Sequence, residues 1–214
     1  MNTTARIFAA ALLSNLAISL AAADGFYAGG EVGVSTVPDM RGAASQTMVN
    51  SGYTTVTVSQ NTGSGLAGIF GGQWVTNNFG WEANLASLGF IRGRVAATNG
   101  PSTVFTSYRY ASGALSLAAM GGVDITPDAK LFFKLGLFDA AVTYDGPTST
   151  VSANSTGPMF GGGLSYRIIK HLSVRGELVN YVGVRFPNYE YFTPTNITTK
   201  SNVTMLAVGA AYEF

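Results

Sequence analysis

The chain has 214 residues, of which only 11% are charged and 12% aromatic, with 27 glycines, no cysteine, one histidine and a net charge of +1. That balance supplies no field to steer nucleic acid or an acidic substrate. An ordinary soluble domain carries about 25% charged residues, so much of this surface is expected to meet a solvent other than water. With one His, no Cys and no carboxylates at ligand spacing, no metal or cofactor is expected. The absence of thiols fits export through an oxidising compartment.

The first segment reads as a secretory leader. Met1 to Thr4 is polar, Arg6 is basic, Ile7 to Leu20 is mostly apolar, and Ala21-Ala22-Ala23 is a small-residue exit. The apolar run, about 14 residues broken by Ser14 and Asn15, is too short for a spanning helix of about 20. Residues 1–23 are therefore expected to be a signal peptide and 24–214 a single β-barrel domain.

After Asp24 the pattern is alternation punctuated by glycine rather than helical periodicity. The first strand is expected at about Gly25 to Ser35, followed by a long polar stretch, Thr36 to Ser64. The second spans about Gly65 to Val75, with Leu66, Phe70 and Trp74 opposite Ile69, Gly71 and Gln73. Thr76-Asn77-Asn78 makes a short turn. The third, Phe79 to about Ile91, carries Phe79, Trp81, Ala83 and Leu85 on one face. Its parity slips at Leu88 and Phe90, which a bulge or an early strand end would repair.

Arg92 to about Thr106 is expected to be a second polar loop. Strand four spans about Ser107 to Val123, and a short turn around Pro127 leads to strand five, Lys130 to about Tyr144. A third polar loop, about Asp145 to Gly157, precedes strand six, Pro158 to Ile169. Lys170 and His171 turn into strand seven, Leu172 to about Val182. A last loop, about Gly183 to Ser201, precedes the closing strand Asn202 to Phe214. Eight strands with short turns and long polar loops in alternation describe an all-β, eight-stranded antiparallel up-and-down barrel. Strands of about 10 residues at a steep tilt match the thickness of a bilayer.

Alternation alone also fits a soluble lipocalin-type barrel. The charges separate the two: Glu31, Glu82, Lys134, Arg167, Arg175 and Glu177 fall opposite the bulky apolar faces. A basic residue facing lipid at midplane would cost about 2–4 kcal/mol, so in a membrane barrel these six line the lumen. A soluble barrel would instead need many more outer Lys and Glu. Asp139 takes the apolar parity and is tolerable only near a membrane interface. Trp74, Phe79, Trp81 and Phe214 sit at the turn ends of their strands, as half of an aromatic girdle would.

The closing strand places Phe214, Tyr212, Ala210, Val208 and Leu206 on one face. This ending, with Gly71-Gly72-Gln73-Trp74, Phe79-Gly80-Trp81-Glu82, Gly161-Gly-Gly-Leu-Ser-Tyr-Arg167 and Leu172-Ser-Val-Arg-Gly-Glu177, resembles the OmpA/OmpX and opacity-protein superfamily of outer-membrane barrels. The likeness covers roughly the whole mature chain, more weakly in the loops. Gly72 departs from it, standing where such strands often carry an aromatic.

The resemblance implies an outer-membrane location in a Gram-negative-type bacterium, contact with outer-membrane lipid, and reading of Tyr212 and Phe214 by the barrel assembly machinery. It further implies a surface or envelope protein, not an enzyme, whose long loops adhere to a host or another cell-surface partner. No peptidoglycan-binding domain is expected after the barrel, and a monomer is expected.

Within that frame the six lumen charges read as ion pairs that fill a narrow barrel. The alternative is a small porin-like ion channel gated by their rearrangement. In the last loop Phe186, Tyr189, Tyr191 and Phe192 are candidate contact residues, the competing reading being that they pack together or rest at the headgroups. His171, Ser173 and Glu177 invite a hydrolase reading. Ser173 and Glu177, however, lie about 13 Å apart along one strand, too far for a triad, so no catalytic residue is assigned.

Overall fold

The computed structural model describes residues 25–36, 38–61, 63–146, 150–187 and 198–214. The expected leader, 1–23, lies outside them, as do Tyr189, Tyr191 and Phe192. Among the described residues nine antiparallel strands and one helix follow in order: β1 (Phe26–Thr36), α1 (Arg41–Asn50), β2 (Thr55–Gln60), β3 (Gly63–Trp74), β4 (Phe79–Asn99), β5 (Ser102–Asp124), β6 (Ala129–Asp145), β7 (Thr150–Ile169), β8 (Leu172–Pro187) and β9 (Thr198–Glu213). Strands β1 and β3 to β9 close a ring of eight, with β1 paired to both β3 and β9 and β4 paired to β5. No helix among the described residues is long and apolar enough to cross a membrane.

Following cross-strand partners once around the ring returns to β4 displaced by about ten residues, a stagger that tilts the strands by roughly 40°. One face of every strand points outward and is apolar: Val32, Ile69, Leu85, Leu117, Leu135, Phe160, Leu178 and Val208 are all exposed. The other face is buried in the lumen. Closure leaves no unpaired edge in the wall, which is what a sheet in hydrocarbon requires.

The strands run much further than expected. β4, β5 and β7 have 21, 23 and 20 residues. Arg92 to Thr106 is therefore not a loop: β4 and β5 continue as one hairpin, paired to Asn99↔Ser102 and turned at Gly100 with φ 57°. Most of 145–157 belongs to the β6–β7 hairpin, and the stretch after Val182 continues β8 to Pro187 opposite β9. Polar composition conceals these extensions because, beyond the bilayer, both faces of a strand can meet water.

The stretch from Thr36 to Ser64 likewise holds α1 and β2. β2 pairs with β4 from Thr55↔Thr98 to Gln60↔Gly93, taking over the β4 edge beyond the end of its β3 pairing at Ala67↔Ser87. α1 buries Ala44 and Met48 against the interior, with Met40 just ahead of it. Gln60 fastens the arrangement: its Oε1 accepts from the Met40 backbone N–H (2.9 Å) and the Tyr108 hydroxyl (3.1 Å), and its amide donates to the Pro38 carbonyl (2.8 Å).

The parity slip in β4 is a bulge between Ser87 and Gly89, with Gly89 at φ 96°. Leu88 stays in the lumen and Phe90 turns outward. β8 carries a second bulge between Tyr181 and Val184, with Gly183 at φ 79°. Two face assignments are corrected. Leu66 and Phe70 point into the lumen, since Gly68 lies opposite buried Glu31. Trp74 shares their parity and packs against the interior cluster of Tyr27, Phe70, Met120 and Phe132 instead of facing lipid. Phe79 and Phe214 are exposed at the turn side.

Replacing Gly89 by Ala would drive a Cβ into the Ser64 hydroxyl at a backbone angle L-residues avoid. Unfolding in urea, followed by heat-shifted gel mobility, should show a loss of about 1–3 kcal/mol. Gly121→Ala, whose Cβ would meet nothing within 4 Å, should stay within about 0.5 kcal/mol.

Candidate functional site

The lumen is built from inward positions of four strands that bring five ionisable side chains together. Glu31 comes from β1, Glu82 from β4, Lys134 from β6, and Arg175 and Glu177 from β8; all are buried. Lys134 Nζ donates to Glu82 Oε1 and to Glu177 Oε2, both at 2.6 Å. The Arg175 guanidinium donates to Glu82 and to Glu31 Oε2 at 3.5 Å, and forms an ion pair with Glu177 Oε2 at 3.3 Å.

Three carboxylates thus share two cations, and neutral donors supplement them. The Tyr27 hydroxyl donates to Glu82 Oε2 (2.9 Å), and the Asn84 amide to Glu31 Oε1 (2.6 Å). Arg175 also lies over the Phe70 ring, 3.2 Å from its centroid, where the face of the π-system attracts the cation. Each buried charge costs several kcal/mol to desolvate, so such a cluster persists only because its hydrogen bonds are nearly complete. Glu177 Oε1, Asn84 Oδ1 and Arg175 Nε have no protein partner. A cavity of about 30 Å³, lined by Arg175, Tyr27 and Trp74, lies on the turn side, room for about one water.

Arg167 does not join the five. It sits two residues from the end of β7, half exposed, with Glu213 at 3.8 Å. Its parity points inward, but it lies where the wall ends, a limit alternation alone does not mark. Phe70 and Tyr27, which sequence reasoning did not assign to the site, complete it. Their signal is that β3 must be in register with Glu31.

Above the charges the lumen is filled with aromatic and aliphatic groups. Tyr110 packs against Tyr144 (5.0 Å between centroids) and Phe186 (6.3 Å), and Phe138 against Tyr181 (5.4 Å). The Tyr110 hydroxyl donates to the Pro187 carbonyl at 2.9 Å. Phe186, expected on an exposed loop, is 2% exposed and belongs to this interior layer. Residues of α1 cover the layer from the loop side.

His171 lies in the β7–β8 turn, its Nδ1 2.9 Å from the Glu213 carbonyl oxygen and its ring stacked on Tyr212. Glu177 is engaged by Lys134 and Arg175, so the structure does not assemble these residues with Ser173 into a catalytic triad. Tyr212 and Phe214 pack edge to face on the outer surface at the chain end. Asp139 faces outward ten residues beyond Ala129, about 25 Å above the turn side at this tilt, and the Thr156 hydroxyl donates to it at 3.4 Å.

A family model described as the OmpA-like transmembrane domain matches residues 21–214. Among solved structures, Neisserial surface protein A superposes with a TM-score of 0.52 at 15% identity, covering 89% of this chain and 98% of that one. The outer membrane protein OprG of Pseudomonas aeruginosa superposes with 0.52 at 14% identity, covering 89% and 96%. The N-terminal β-barrel domain of OprF from the same species gives 0.51 at 12% identity, covering 89% and 98%. Likeness at these identities speaks for the fold alone. No curated protein matches the sequence.

Arg175→Ala leaves three carboxylates with one cation, and urea unfolding in detergent micelles should show a loss of about 3–5 kcal/mol. Arg167→Ala, removing a half-exposed pair, should change stability by no more than about 0.5 kcal/mol.

Proposed function

The chain belongs to the OmpA-like transmembrane domain family, and from that premise we propose that it is a non-conducting surface protein of the Gram-negative-type outer membrane, acting through the part that stands outside the bilayer. The observation that carries this reading is the filling of the lumen at two levels. The ion-paired layer of Glu31, Glu82, Lys134, Arg175 and Glu177 lies below, and the layer of Tyr110, Tyr144, Phe138, Tyr181 and Phe186 lies above. An ion path would have to breach both, and opening the lower one would strand buried charges. No catalytic step is assigned to it.

The contact surface in this reading is the extension formed by the upper parts of β4 and β5, with β2 on their flank. Adhesion to a host or cell-surface partner is the role proposed for it, in the form of a monomer. A small porin-like channel is the competing role, and the two filled layers speak against it.

Planar-bilayer recording on refolded protein tests the reading. The wild type, shown to be folded by heat-shifted mobility, should give no reproducible single-channel steps. Tyr110→Ala and Tyr181→Ala, which thin the upper layer, should remain silent because the ion-paired layer persists. Discrete steps from the wild type that change size with Arg175→Ala would replace this proposal with the channel.

A further inference from the structure

Five cations project from the outer wall beyond the apolar band: Arg92 and Arg94 on β4, Arg109 on β5, Arg185 on β8 and Lys200 on β9, all exposed. Their orientation depends on the two bulges. Before the bulge in β4 the even-numbered residues line the lumen, and before that in β8 the odd-numbered ones do. Without the extra residue, Arg92, Arg94 and Arg185 would point inward. Bulges that re-aim side chains are features a site uses, and here both aim arginines the same way.

The pairing within this group is unfavourable by itself. Arg92 is directly opposite Arg109, and Arg185 directly opposite Lys200; like charges so placed repel. Among the described residues none of the five makes an ion pair. Asp145, the β6 neighbour of Arg109, instead accepts from the Thr150 hydroxyl at 2.6 Å. Elsewhere most outer cations are paired: Arg41 with Asp39 at 2.6 Å, and on the turn side Lys130 with Asp124 at 3.5 Å and Arg167 with Glu213 at 3.8 Å, Lys170 alone of the turn-side cations making no ion pair among the described residues. Unbalanced positive charge is thus concentrated on the loop side.

Their height identifies what they meet. With a rise of about 3.3 Å per residue and a tilt near 40°, all five project to nearly one level, roughly 30 Å above the turn-side ring of Phe26, Phe79 and Phe214. The apolar band of such barrels is about 25 Å tall, so the level is that of the outer-leaflet headgroups. Phe90 marks the upper margin of the band, and the Arg109 guanidinium lies over its ring, 4.6 Å from the centroid. Arg92, Arg94 and Arg109 line a cleft of about 1320 Å³ together with Asp145 and with Phe105, which is 80% exposed.

We propose that Arg92, Arg94, Arg109, Arg185 and Lys200 form a ring that binds the phosphate groups of anionic outer-leaflet lipid headgroups. Arg92, Arg94 and Arg109 hold the principal site. Guanidinium forks match phosphate oxygens in pairs, and the bound anions relieve the cross-strand repulsion. The apolar flank of Phe90, on the bilayer side of these arginines, selects a lipid over a soluble polyanion, because an amphiphile covers both surfaces at once.

The test compares refolded wild type with Arg92→Gln/Arg109→Gln in phosphatidylcholine vesicles with and without added lipopolysaccharide, following thermal unfolding by heat-shifted mobility. Phosphorylated lipid should raise the wild-type midpoint by about 5 °C, and the double variant should lose at least half of that rise. In lipid without lipopolysaccharide the double variant should be no less stable than wild type, since a repulsion has been removed. Arg167→Gln should keep the full rise. Should the double variant fail to fold, Arg185→Gln/Lys200→Gln provides the same comparison. A full rise in both double variants would overturn the ring. An equal rise from soluble tripolyphosphate in vesicles lacking lipopolysaccharide would overturn the lipid as its ligand.

Discussion

Inside hydrocarbon a backbone amide has no water to turn to, and that single deficit organises this chain. Every N–H and C=O in the span must find a partner, which a sheet can achieve only by closing on itself. Eight strands with the stagger seen here close into a tube whose bore is no wider than its own inward side chains. The wall therefore dictates a filled interior, and the contents of that interior follow from which residues alternate inward. Lipid outside demands apolar groups on one parity, leaving the other as the only place within the span where Glu82, Lys134 or Arg175 can be sheltered.

The two bulges show how a strict alternation is modified without being broken. Below Gly89 and Gly183 the wall obeys the bilayer; above them parity reverses and the strands serve a different solvent. In β4 the reversal falls between the end of the β3 pairing at Ser87 and the start of the β2 pairing at Gly93, so one short segment changes the strand's neighbour, its facing residues and its environment. A glycine tolerates the positive φ that this requires at each site.

The eight-strand ring is legible in the sequence because lipid imposes a period of two that composition cannot hide. Phe133, Leu135 and Leu137 of β6 read as one face from alternation alone. The extensions beyond the bilayer are not legible, since both faces of Val95–Thr98 or Thr103–Ser107 lie in water or under a cap, and such stretches look like loops. α1 is hidden because its sequence is weakly amphipathic and its burial depends on Met40 and Met48 finding the barrel mouth. Of the interior charges, those well within the wall follow parity. Arg167 does not, because alternation says which way a residue faces but not where the wall ends. Leu66 and Phe70 defeat the pattern for a related reason. In the glycine-rich β3 the apolar residues fall on both parities, so only the register against Glu31 decides.

The members of the interior charge cluster are far apart along the chain. Lys134 and Glu177 are separated by 43 residues, Arg175 and Glu82 by 93, and Arg175 and Glu31 by 144. Apart from Arg175 and Glu177, which share β8 and pair at 3.3 Å, none can be neutralised by a neighbour in its own hairpin. While the sheet is still open these five groups need water, and they can release it only when strands from both ends of the chain have come together. Long-range contacts of this kind are slow to form because the loop they close is ordered before they stabilise anything. The cluster therefore acts as a latch that engages last: a chain lacking one strand keeps a hydrated interior, and drying of the lumen reports completion of the ring.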